Sequence, residues 1–113
     1  MLDAISEEEL SETADLLYCL DITANYTGFF QTTYAVCFAF HHPESLLQVT
    51  KWLYPEVAKY CDTSWKCVEH NIRKISQLAW KHNRVLLEEL ARQSLPCRPS
   101  ASVFVSVLVL QLL

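Results

Sequence analysis

The stretch YPEVAKYCDTSWKCVEHNIRKISQLAWKH, residues Tyr54 to His82, decides the fold. Pro55 suits a first helical turn, where its missing N–H costs nothing, so Val57–Cys61 reads as a short helix with the small Ala58 within it. Asp62-Thr63-Ser64 is a polar turn that also supplies the cap of the next helix. That helix is predicted over Ser64–His82, about 28 Å long at 1.5 Å per residue. Val68, Ile72, Ile75 and Ala79 recur at helical spacing and form a buried face. Lys66, His70, Arg73, Gln77 and Lys81 recur in steps of four and three on another face. A short helix, a tight polar turn and a longer basic helix form a helix-turn-helix, placed at about residues 55–82. Trp80, next to Ala79, is expected to be buried.

The flanking sequence is helical as well. Ser6-Glu7-Glu8-Glu9 is a capping box with three carboxylates at the positive end of the helix dipole, and Leu10, Ala14, Leu17 and Cys19 follow as an apolar stripe. Gly28 breaks the chain. FFQTTYAVCFAF, Phe29–Phe40, is apolar nearly all round, which marks a central helix, and it stops before Pro43. In Glu44–Tyr54 the pattern turns Leu46, Leu47, Val49 and Leu53 inward and Lys51 outward. The tail VFVSVLVLQLL, Val103–Leu113, is too short for a membrane span of about 20 residues. It fits a buried terminal helix or a strand, and periodicity does not separate the two.

At 113 residues the chain fits a single domain spanning residues 1–113, and 51% hydrophobic against 19% charged residues is a composition that folds. One glycine excludes hairpin-rich β architecture, glycine-rich phosphate loops and dinucleotide fingerprints. The net charge of −4 is unevenly spread. Residues 1–50 hold eight acids and no Lys or Arg, while the rest holds all nine basic residues and five acids, so the chain divides into −8 and +4. Seven of the nine lie between Lys51 and Arg84, and such asymmetry points to nucleic acid or to a partner-facing acidic surface.

Five cysteines, with no C-x-x-C pair and no secretory signal, read as reduced thiols of a cytoplasmic protein. Cys61, Cys67 and His70 lack the paired spacing and the fourth ligand of a zinc site. No nucleophile is oriented against a base, so the sequence names no catalytic residue, metal or cofactor, and an enzyme is not expected.

On the basic helix, arginine and lysine reach guanine edges or phosphates in a major groove about 12 Å wide, and the amides of Asn71 and Gln77 suit adenine where they face outward. The residues themselves resemble a known family. Lys51-x-Leu53-Tyr54-Pro55-Glu56-Val57-Ala58-Lys59, Thr63, Val68-Glu69, Ile72-Arg73 and Ala79-Trp80 are similar to the C-terminal DNA-binding (effector) domain of the stage zero sporulation protein A response regulators of spore-forming Firmicutes. Leu20–Gly28 resembles that family's entry segment, and Arg98-Pro99-Ser100 with Val103-Phe104 resembles the start of its last helix.

The resemblance implies an all-α, compact six-helix domain that reads a short box in double-stranded DNA as a homodimer on tandem sites and meets RNA polymerase sigma factor. It also makes the tail helical. The expected DNA-binding residues are Thr63 and Ser64 on phosphate, Lys66 and Lys74 on the backbone, and Glu69, His70, Arg73 and Gln77 toward base edges. Two positions depart: where the family has arginines just before and just after Val-Glu, this chain has Cys67 and His70. The alternative expectation is a protein–protein interaction module that keeps the fold with weak or no sequence-specific DNA binding. No receiver domain is read ahead of the first helix.

Overall fold

In a computed structural model, which describes residues 5–113, the capping box forms as the sequence spells it. The Ser6 hydroxyl accepts from the Glu9 amide at 3.1 Å, and the Glu9 carboxylate accepts from the Ser6 amide at 3.0 Å. This starts α1 (Glu7–Cys19), followed by α2 (Phe29–His41), a 3-10 turn (Pro43–Leu47), a π-helical turn (Val49–Leu53), α3 (Tyr54–Tyr60), α4 (Trp65–Ala91) and α5 (Ala101–Gln111). There is no strand among the described residues.

Among the described residues there are therefore five α-helices, not six. The expected break after His82 is a kink: Asn83 leaves helical geometry (φ −153°, ψ 65°), and its side-chain oxygen then accepts from the Leu86 amide at 3.2 Å. Neither glycine nor proline occurs between Trp65 and Ala91, so the local cap restarts the helix and α4 runs on. It ends at Arg92, in the left-handed region at φ 61°.

The all-round apolar α2 lies at the centre, touching α1, α3, α4 and α5, with Ala35, Val36, Cys37 and Ala39 fully buried. The tail is helical. Ser100 caps α5 by accepting from the Val103 amide at 3.3 Å, and Phe104, Val105 and Leu108 vanish into the core, each contributing about 1.5–3 kcal/mol. Two polar anchors hold it: Ser76 donates to the Pro99 carbonyl at 2.8 Å, and Gln111 donates to the Leu90 carbonyl at 2.9 Å. No described helix is long and apolar enough to cross a membrane.

Several side chains sit differently from expectation. On α1 the inward position falls to Thr13, packed 3.5 Å from the Cys37 sulfur, while Cys19 is exposed. Leu47 is 81% exposed because the 3-10 turn after Pro43 carries it off the inward face. Trp80 is half-buried and stacks under the Arg84 guanidinium, 4.2 Å from the ring centre.

Candidate nucleic-acid interface

The turn joining α3 to α4 works without glycine. Asp62 takes the left-handed conformation at φ 55°, a region that short polar side chains enter more readily than most, and the Thr63 amide donates back to the Ala58 carbonyl at 2.9 Å. Ser64 then caps α4, its hydroxyl accepting from the Cys67 amide at 3.2 Å.

From this start the helical period sorts the side chains. Val68, Ile72, Ile75 and Ala79 are buried on one side. Lys66, His70, Arg73, Lys74 and Gln77 share the opposite side, spread over about 100° of the helix circumference. The first four are exposed, Gln77 is half-buried, and Lys81 prolongs the row. Thr63 and Ser64 are exposed at its N-terminal end. Glu69, at the margin of the row, lies 3.8 Å from the Arg73 guanidinium, a loose and half-exposed pair of the kind that contributes about 0.3–0.5 kcal/mol. Arg73 is thus steered by Glu69 without being locked to it.

Asn71 is not part of this face. It is buried, and its amide donates to Gln31 of α2 at 3.0 Å and approaches the Cys67 sulfur at 3.6 Å. An amide committed to the interface between two helices is not available to a base.

One element went unread in the sequence. Tyr26, Thr27 and Gly28, ahead of α2, form with His70, Lys74, Gln77 and Lys81 a cleft of about 460 Å³ with no carboxylate in its lining. The signal was available in Lys81, seven residues beyond Lys74 on the same helix side. The contribution of the Tyr26–Gly28 loop left no mark in the local pattern, since it depends on how α2 leans on α4. Among the described residues no group of three His, Cys, Asp or Glu is placed to hold a metal ion.

A helical, all-α core thus holds one basic face of α4 out to solvent, opened by a capped polar turn. Over residues 13–112 the chain matches the family described as sporulation initiation factor Spo0A, C terminal, and it belongs to that family. The family is one of DNA binding, transcription regulation and sporulation, and is not an enzyme family.

Proposed function

We propose that α3 and α4 act as a helix-turn-helix and that α4, from Ser64 to His82, enters the major groove of a short DNA box. The observation that carries this reading is the single exposed side of α4 bearing Lys66, His70, Arg73 and Lys74, set opposite a fully buried apolar side. Lys66 and Lys74 contact the backbone, the exposed turn at Thr63 and Ser64 meets phosphate at a helix N-terminus, and Glu69, His70, Arg73 and Gln77 face base edges. Arg73 carries most of the discrimination, because only a guanidinium presents the two-pronged donor fork that fits guanine. Cys67 and His70 lack that fork, and each bidentate contact forgone lowers base discrimination by about 1–3 kcal/mol. In this reading the domain works in the cytoplasm as a pair on tandem sites and meets RNA polymerase sigma factor, as its family resemblance implies.

The test is selection from random duplexes, followed by affinity against salt. An enriched motif is expected, with a log–log slope of about −4 or steeper for roughly five neutralised phosphates. A flat salt response, or no duplex binding at low salt, overturns the reading. The exposed thiol of Cys67 favours one second reading, a protein-interaction module without sequence-specific DNA binding. It prevails if duplex binding is undetectable while partner binding survives Arg73→Ala combined with Lys66→Ala.

A further inference from the structure

The acidic half of the chain carries a surface of a different kind. Between α1 and α2 lies a groove of about 260 Å³ lined by Leu10, Ala14, Phe29, Phe30, Thr33 and Tyr34, with Ser11 at its edge. Phe30 is 55% exposed, and on either side Tyr18 and Tyr60 leave about half of their rings in water. The rings form two groups: Tyr18 meets the buried Phe29 at 5.5 Å and Phe29 meets Phe30 at 5.3 Å, while Tyr34 meets Tyr60 at 4.4 Å. Phe30 and Tyr34 both line the groove, with Tyr18 of α1 beyond one group and Tyr60 of α3 beyond the other. Large, rigid rings exposed beside an apolar hollow have the composition that anchors a protein partner.

The charge around the groove restricts what fits there. Glu7, Ser11 and Asp15 are spaced by four on α1, so the edge residue Ser11 has an exposed carboxylate one turn to each side. Glu8 and Glu12 add charge further round the same helix. No Lys or Arg occurs in residues 1–50, and the nearby imidazole of His41 is engaged by Glu9 at 2.9 Å. Lys59, beside Tyr60, lies 3.7 Å from Glu56. The rim is therefore acidic and uncompensated over an apolar floor.

We propose that this groove takes an amphipathic helix of a partner protein, with apolar anchors on one face and Lys or Arg along its flanks. A second copy of this chain is a poor occupant, because its own basic helix, α4, has already buried its apolar face in the core. None of the groove residues belongs to the DNA-facing set on α4, so the inference goes beyond the proposed DNA binding.

The experiment titrates the isotope-labelled full chain with a peptide of Leu and Lys at helical spacing, about five turns long, and in parallel with the same peptide carrying Glu for Lys. Amide shifts confined to Leu10, Ser11, Ala14, Phe30, Tyr34 and their neighbours are expected with the cationic peptide only. Phe30→Ala should weaken binding about tenfold or more. Ser11→Arg should do the same by adding bulk and positive charge at an exposed position, with helicity by circular dichroism unchanged. Shifts mapping elsewhere, equal binding of the anionic peptide, or binding indifferent to Ser11→Arg overturn the proposal. So does sedimentation showing a dimer of the chain that Phe30→Ala converts to monomer.

Discussion

A Cβ built on Gly28 would stand 2.6 Å from the carbonyl oxygen of Asn71 and 2.8 Å from Cγ1 of Ile75. Its φ of −83° is ordinary for any residue, so the one glycine of the chain serves close approach and not backbone freedom. At this point the start of α2 rests on α4, and the same contact lets the Asn71 amide meet Gln31. Gly28→Ala must push the helices apart or shift the Asn71 backbone. It is expected to cost about 1–3 kcal/mol in urea unfolding, as overpacked cores do. Because Gly28 also lines the cleft beside Lys74 and Lys81, duplex affinity should fall in the same variant. An unchanged unfolding midpoint would show that the contact yields without cost.

Trp80 lies beneath Arg84, 4.2 Å from the guanidinium, and Arg84 in turn donates to the Leu95 carbonyl at 3.1 Å. The ring is half-buried, so Trp80→Ala should cost about 2 kcal/mol, half or so of a fully buried tryptophan, with part of it the lost cation–π contact. Thermal unfolding of the variant measures this. A loss as large as about 4 kcal/mol would mean that the ring braces the Asn83 kink itself.

What the sequence made legible depended on the range of the signal. The Ser6–Glu9 capping box, the Ser64 cap, the buried row Val68, Ile72, Ile75 and Ala79, and the exposed row Lys66, His70 and Arg73 are local or periodic, and each appears where the pattern puts it. Asn71 was open in the sequence because it lies at the seam between the two rows, and only its contact with Gln31, forty residues away, settles which side it serves. Leu47 misled because an apolar residue in a 3-10 turn does not keep α-helical phase. The kink at Asn83 was hidden because an asparagine that both interrupts and recaps a helix looks locally like any polar surface residue.

Glu9 ties the cap of α1 to the end of α2. Its carboxylate accepts from His41 at 2.9 Å and from the Ser6 amide at 3.0 Å, and these bonds, the His41 one first, hold its pKa below the usual 4.5. An acid with a lowered pKa contributes stability that is complete above its unfolded value and is lost as pH falls through the folded one. Unfolding free energy should therefore decline on acidification through and below about pH 4.5. Glu9→Gln should flatten that part of the profile while leaving neutral-pH helicity largely intact. A wild-type profile identical to that of Glu9→Gln would show that the pairing contributes nothing.

Ser64 allows stability to be separated from the proposed DNA contact. Its hydroxyl oxygen accepts from the Cys67 amide at 3.2 Å, which leaves the hydroxyl proton available to a phosphate. Ser64→Ala removes the cap and the proposed phosphate contact together and should cost about 0.5–2 kcal/mol of stability along with some duplex affinity. Ser64→Asp keeps the cap, since aspartate serves as well as serine at this position, but sets a negative charge where the proposed phosphate lies. Its unfolding midpoint should match wild type, while its duplex affinity falls further than that of Ser64→Ala and recovers in part at higher salt. Affinities for Ser64→Asp and Ser64→Ala that differ only as their stabilities do would remove Ser64 from the interface and leave it a helix cap alone.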